Sequence, residues 1–337
     1  MKKIRLGFIG AGFMSQLAHL PSFYDNNKVE IVAISEINKK LLEKVSKKYQ
    51  IQKTYLSYKD MISNESLDGV VLVANRSNIE KIALDVLKKK IPLFSEKPMA
   101  TSYKAAKKLL NISKKNKIKY LIGHMKRHDN GIILLKKILK KNNLGKILSV
   151  YYQNFIGDSF YNPFDYFRHS KRYRKENTLN KKLNNKKLVY LRYLNSNGHC
   201  INLIRYLFGE IKIFSKKLTK AGEGIIFFKN KNGVNILFNN QFSKASRWIE
   251  NIKINFEKGA IYAEIPAPLL KNVPAKISIE NYNDGKIYSP GVRWGWSFRN
   301  QSKDFINYLL SNKLTNYSCQ AKDSINDIKI IESLFYR

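Results

Sequence analysis

The chain has 337 residues, 44% of them hydrophobic and 12% aromatic, which is enough apolar material for the cores of two domains and excludes a disordered chain. Its formal net charge of +37 comes mostly from lysines spread along the sequence, and no nucleic-acid-binding motif accompanies them, so nucleic acid is not an expected partner; a basic surface would still attract an anionic small molecule. No apolar run reaches membrane-spanning length and no secretory signal opens the chain, while Cys200 and Cys319 lack metal spacing, so neither a membrane nor a metal is expected and a reduced, cytoplasmic setting is.

The first element is a short apolar strand (Ile4, Leu6, Phe8, Ile9) that runs into Gly10-Ala11-Gly12 and then into a helix-compatible stretch opening at Phe13 and Met14. That strand, turn and helix order is the context of a dinucleotide fingerprint: Gly10 permits the tight turn, and Gly12 lets backbone approach a pyrophosphate held at the helix start. Ser15 occupies the third glycine position, so the helix must pack on the strand with one extra hydroxymethyl group. A second buried strand, Val29 to Ile34, ends at Ser35-Glu36, where the fingerprint places an acid for the adenosine ribose. A carboxylate there accepts from both ribose hydroxyls and repels a 2′-phosphate, so Glu36 favours NAD over NADP.

Helical periodicity over Lys39 to Tyr49 follows, then a short strand near Thr54 and a helix from Lys59 to Ser63. Next come an apolar strand at Gly69 to Val73, a helix at Ile79 to Lys90, a strand at Ile91 to Phe94, a helix at Ser102 to Lys115 and a strand at Lys119 to Ile122. Strands alternating with helices indicate parallel crossovers, hence an amino-terminal α/β domain of Rossmann type with a doubly wound parallel sheet over residues 1–123. The pattern then changes. A helix at Gly131 to Lys141 leads into strands at Ile147 to Phe155, Ile211 to Leu218, Gly224 to Lys229, Val234 to Phe242, Asn251 to Glu257, Ala260 to Glu264 and Lys276 to Asn281, closed by helices at Ser302 to Leu310 and Ala321 to Leu334. Strands joined by short turns predict a carboxyl-terminal α+β domain, residues 124–337, with a large, mostly antiparallel open sheet; the final helix is free to pack back on the first domain. The basic run from Arg168 to Lys187 reads as a solvated insertion, with a phosphate-binding lid as the alternative.

The chemistry is expected where the fifth strand ends, at Ser95-Glu96-Lys97-Pro98, because the carboxyl ends of strands in an open α/β sheet line the ligand crevice. With this motif the sequence resembles the Gfo/Idh/MocA family of oxidoreductases, which combine a Rossmann domain, an E-K-P motif and a carboxyl-terminal domain with a large open sheet. The stretch Gly123 to Gly131 is similar to that family's domain junction, and Asn195-Ser196-Asn197-Gly198-His199-Cys200-Ile201-Asn202-Leu203 is similar to its D-x-x-x-H-x-x-D-L stretch. The resemblance implies a catalytic group of Lys97, Asn195 and His199, with asparagine in place of the usual first aspartate. Asn202 likewise replaces the second aspartate, and Ala74-Asn75-Arg76-Ser77-Asn78-Ile79 departs from a T-P-N-x-x-H stretch. It further implies that Gly10, Gly12, Phe13, Met14, Glu36, Asn75, Glu96 and Lys97 contact the cofactor.

The activity so implied is hydride transfer between nicotinamide and a hydroxyl or keto carbon of a sugar or nucleotide-linked sugar. The rivals are a redox-neutral lyase or glycosidase that uses bound NAD transiently, and a nucleotide-sensing protein without turnover. A homodimer or homotetramer is expected, since an open sheet must cover its second face; Ile236, Phe238 and Phe242 are the candidates for that face.

Overall fold

The computed structural model describes residues 3–141, 143–156, 185–242 and 248–336. Packing divides the chain into two compact units. The first gathers Met1–His124, the described part of Pro163–Asn195, and Phe298–Glu332; the second gathers Met125–Asn162, Ser196–Ser297 and Ser333–Arg337. The units thus follow packing rather than chain order, since residues 298–332 join the amino-terminal domain and the boundary falls one residue beyond 123. Of the basic run Arg168 to Lys187, all but the last three residues lie outside the described residues.

In the first unit, β1 (Ile4–Ile9), β2 (Val29–Ser35), β3 (Lys53–Tyr55), β4 (Gly69–Leu72), β5 (Leu93–Glu96) and β6 (Tyr120–Gly123) form one sheet. Their order is β3-β2-β1-β4-β5-β6, and every pairing is parallel. The chain leaves β1 in one direction towards β2 and returns to its other side as β4, so the carboxyl ends of β1 and β4 flank the switch point where such sheets bind ligands. The crossovers are α1 (Leu20–Tyr24), α2 (Lys39–Lys48), α3 (Tyr58–Asn64), α4 (Arg76–Lys88) and α5 (Tyr103–Lys115). Side chains of Asn38, Ser57 and Ser102 cap α2, α3 and α5, each contributing about 1 kcal/mol. The strands read as continuous apolar runs because both faces are covered: Leu6, Phe8, Val71 and Phe94 are almost wholly buried, with Phe23 and Phe305 among them.

The second unit holds an eight-stranded sheet: β7 (Ile147–Ile156), β8 (Ile211–Leu218), β9 (Gly224–Asn230), β10 (Asn235–Phe242), β11 (Ile249–Phe256), β12 (Gly259–Glu264), β13 (Lys276–Asn281) and β14 (Ile287–Tyr288). The order is β14-β13-β12-β11-β7-β10-β9-β8. Only β7 and β10 pair in parallel; the other pairings are antiparallel. Among the described residues the remaining helices of the chain are α6 (Asn130–Lys141), α7 (Asn185–Phe208), α8 (Ser297–Ser311) and α9 (Ala321–Tyr336).

The two faces of this sheet are the reverse of the expectation for self-association. Ile236 and Phe238 are fully buried, the Phe238 ring lying edge-on to Tyr152 at 5.3 Å, so they belong to the unit's own core. Phe242 is half-buried. Alternation by two along each strand puts the opposite set outward: Phe227, Leu237, Tyr151, Lys253 and Tyr262 stand in register across five strands, with Phe227 and Tyr262 exposed.

Candidate functional site

The glycine turn has the geometry its sequence demands. Gly10 has φ of +97°, and a Cβ there would lie 2.1 Å from the Val73 carbonyl oxygen, so only glycine fits between β1 and the end of β4. Its N–H bonds to Ser35 O at 2.8 Å. Helix begins at Phe13 and Met14 with Gln16 N donating to Gly12 O at 3.0 Å, so the amides of the first turn face the open end, where an anion is favoured. Ser15, at the third glycine position, is fully buried. Glu36 is also buried: Oε2 accepts from Ala11 N at 2.9 Å and Oε1 from Asn38 N at 3.0 Å. One carboxylate therefore ties the glycine turn to the end of β2 and keeps further lone pairs on both oxygens for hydroxyl donors. An acidic acceptor beside first-turn amides fits the ribose and pyrophosphate of a dinucleotide.

At the end of β5 a second carboxylate does the same work for Lys97. Glu96 Oε1 is 2.7 Å from His19 Nε2, and Oε2 accepts from Lys97 N at 2.9 Å. His19, buried between the rings of Phe94 and Phe298, closes the helical turn Ser15–His19 that follows the glycine loop. The helical turn after the glycine loop and the lysine-bearing strand are thus joined through one buried pair. Sequence reading missed His19 because nothing local couples it to a residue 77 positions away; its inward-facing place on a short helix was the only signal.

Lys97 itself is half-buried, and its Nζ donates to Asn195 O at 2.7 Å and to Asn195 Oδ1 at 3.2 Å. Lys97 and Asn195 are thus hydrogen-bonded to each other, and both belong to the first unit. Asparagine supplies the ammonium with oxygen acceptors but no counter-charge. Asn75 is the exposed N-cap residue of α4. The next residue, Arg76, donates from Nη1 to Leu191 O at 2.6 Å, and Tyr190 Oη donates to Thr101 O at 2.9 Å.

His199 lies one turn beyond Asn195 on α7, half-buried, and is counted in the second unit. Around it in that unit, Asn154 Nδ2 donates to Asn197 Oδ1 at 3.0 Å, and Arg127 Nε donates to Asn202 Oδ1 at 2.6 Å, so the second substituted aspartate position accepts from a buried arginine. Deeper in the unit is a cluster that sequence reading did not find. Lys126 Nζ and Tyr152 Oη both bond to Glu250 Oε1, Trp248 Nε1 donates to Glu250 Oε2 at 3.2 Å, and Cys200 Sγ is 3.9 Å from both Lys126 Nζ and Glu250 Oε1. Burial opposes the Lys126 charge, and Cys200 and Glu250 more than offset it, holding the ammonium above its ordinary value. Burial pushes the Cys200 thiol up to about 12, so it is a thiol at neutral pH. Among the described residues no three His, Cys, Asp or Glu side chains gather as metal ligands, and no helix is long and apolar enough to cross a membrane.

Comparison with known proteins agrees with this geometry. Residues 4–124 match the Gfo/Idh/MocA model, described as an oxidoreductase family with an NAD-binding Rossmann fold. Inositol 2-dehydrogenase from Salmonella typhimurium is 28% identical over 154 residues, 45% of this chain and 44% of that protein. The 2,7-anhydro-N-acetylneuraminate hydratase of Escherichia coli is 26% identical over 148 residues, 43% of this chain and 38% of that protein. The matched region spans less than half the length of either curated relative. Solved structures share the fold over nearly the whole chain: an oxidoreductase from Agrobacterium radiobacter in complex with NAD+, L-tartaric acid and magnesium has a TM-score of 0.75 at 15% identity, covering 98% of this chain and 95% of that one. A 3-ketoreductase from Actinomadura kijaniata in complex with NADP and TDP-benzene has a TM-score of 0.77 at 14% identity, covering 98% and 97%. Over residues 4–124, its amino-terminal domain, the chain is thus similar to the Gfo/Idh/MocA oxidoreductase family.

Proposed function

We propose that this protein is an NAD-dependent oxidoreductase that moves a hydride between nicotinamide and a hydroxyl or keto carbon of a sugar or nucleotide-linked sugar. The observation that carries the reading is Lys97: an ammonium at the carboxyl end of β5, its backbone fixed by Glu96 and its Nζ on Asn195. When bound, nicotinamide supplies the hydride acceptor or donor. The first-turn amides at Gly12, Phe13 and Met14 hold the pyrophosphate, Glu36 holds the adenosine ribose, and Asn75 and Glu96 complete the cofactor contacts. Lys97 Nζ handles the hydroxyl proton and polarises the developing carbonyl. His199 is assigned the second proton-handling role by its place in the motif, with Asn195 orienting Lys97. The dehydrogenase and ketoreductase relatives support the reaction type and a small-molecule substrate.

Glu36 decides the cofactor. A 2′-phosphate would meet a buried carboxylate already held by Ala11 and Asn38, and like charges in such a place disfavour one another by several kcal/mol; Lys39 and Lys40 nearby reduce the margin. Nicotinamide fluorescence titrations are expected to show NADH binding at least about tenfold more tightly than NADPH, equivalent to about 1.4 kcal/mol. Tighter NADPH binding would reject the role given to Glu36.

Self-association is part of the proposal, as a homodimer or homotetramer. The outward row Phe227, Leu237, Tyr151 and Tyr262 presents apolar surface around Lys253, which a second copy would cover. Light scattering at micromolar concentration is expected to give a multiple of the 39.2 kDa chain mass; a strict monomer contradicts it. A cytoplasmic location belongs to the same reading, in which Cys200 and Cys319, both buried and neither joined in a disulfide, stay reduced.

The hydratase relative supports one second reading, redox-neutral chemistry with transient use of NAD. The two differ in net change at 340 nm, which a redox-neutral enzyme does not produce over many turnovers.

A further inference from the structure

Arg76 stands in the stretch after β4 where this sequence departs from the family it resembles, and the structure gives it an unusual setting. It is the first residue of α4, an end of a helix that favours anions and disfavours cations. It is half-buried, and that burial works against its charge. Among the described residues its one partner is a neutral group, the Leu191 carbonyl, reached by one of five donors. The carboxylate one turn further along α4, Glu80, is engaged elsewhere: its Oε1 accepts from both Thr101 N at 2.5 Å and Thr101 Oγ1 at 2.6 Å. A guanidinium that is half desolvated, at the wrong helix end and without a counter-ion among the described residues is unfavourable, and such local violations concentrate at functional positions.

Arg76 and Lys97 meet the same helix. Arg76 bonds to Leu191 O and Lys97 bonds to Asn195 O, carbonyls four residues apart on one face of α7 and so about 6 Å apart along its axis. Two cations from two strand ends, β4 and β5, therefore converge on successive turns of one helix, within the first unit. An arginine fork matches a carboxylate or phosphate with two parallel hydrogen bonds, which a lysine does not.

We propose that Arg76 is a specificity-determining residue that binds an oxyanion of the substrate, a carboxylate or a phosphate, beside the carbon presented to Lys97. This rests on the dehydrogenase reading above and narrows its substrate class to acidic or phosphorylated sugars. A neutral polyol would leave the fork unfilled.

The test is phenylglyoxal labelling of Arg76 in the whole protein, read by peptide mass spectrometry. It is run without additions, with NADH, and with NADH plus D-glucuronate, glucose 1-phosphate, UDP-glucose or glucose. The expected result is that an anionic sugar slows Arg76 labelling by about fivefold or more, whereas NADH alone or with glucose changes it by less than about twofold, as a bidentate oxyanion contact requires. Protection by glucuronate identifies a carboxylate, and protection by the phosphorylated sugars identifies a phosphate. Equal protection by NADH alone would transfer Arg76 to the cofactor site, and protection by none of the sugars would make it a brace for α7; either overturns the proposal. Arg76→Gln should abolish the preference of the NADH-loaded protein for the anionic over the neutral sugar while circular dichroism stays unchanged, and a retained preference also overturns it. If NADH itself does not bind, the dehydrogenase reading fails, while a further labelling series with each sugar in the absence of NADH still decides the role of Arg76.

Discussion

Replacing Lys97 with methionine is expected to lower turnover by about 10²- to 10⁴-fold, the loss that follows removal of a positioned acid or base. Methionine roughly keeps the side-chain volume, so the change isolates the charge and its donors. NADH affinity should move by no more than a few-fold, because the pyrophosphate and ribose contacts assigned to Gly12 and Glu36 lie at the ends of β1 and β2, away from Nζ. Lys97 now bonds to an amide side chain and a carbonyl, neither of which carries charge. Asn195→Asp would therefore place a carboxylate against the ammonium and stabilise its protonated form, shifting the pH profile of turnover towards higher pH while leaving substantial activity. Steady-state kinetics across pH with a turned-over sugar measures both effects. A Lys97→Met protein with near-normal turnover would remove the lysine from the chemistry.

The largest effect on stability is expected from Glu250. Lys126 and Glu250 are 5% and 1% exposed, and Glu250 also accepts from Tyr152 and Trp248. Glu250→Gln leaves a buried ammonium without its counter-charge, which costs about 3–5 kcal/mol when a buried ion pair is broken at one side. Replacing both partners with apolar residues, Lys126→Met with Glu250→Leu, should recover most of that loss, because the desolvation of two charges is removed together. All three tryptophans, Trp248, Trp294 and Trp296, lie in the second unit, so tryptophan fluorescence in urea reports the unfolding of that unit. A Gln variant whose midpoint matches the parent would show that the cluster contributes little.

The parts of this site that could be read from sequence are those whose physics is local. Gly10 and Gly12 follow a strand directly, Glu36 ends the next one, and Lys97 ends the fifth, so position along a βαβ pattern located each of them. The helix α7 is a contrary case. Its sequence contains Gly198, several asparagines and many aromatic or β-branched residues, all weaker helix formers than alanine or leucine, and its helical state comes from tertiary packing of residues such as Tyr193, Ile201 and Ile204, each almost wholly buried. His19 with Glu96, Arg76 with Leu191, and Lys126 with Glu250 were illegible for another reason. Each joins positions 77 to 124 residues apart that meet only through the fold, and no spacing rule encodes such a pair. The outward face of the second sheet was misread because two alternating sets of residues, Ile236 with Phe238 and Phe227 with Leu237, are both apolar; a period of two identifies the faces without saying which one the core takes.

Net reduction of nicotinamide by a sugar is the property that separates a dehydrogenase from a redox-neutral enzyme most directly. Mixing it with NAD+ and each sugar of an acidic and phosphorylated panel, and following absorbance at 340 nm over many turnovers, is expected to show steady accumulation of NADH with one of them, lost in Lys97→Met. Consumption of a sugar with no net change at 340 nm would contradict the dehydrogenase reading and assign the chain to redox-neutral chemistry.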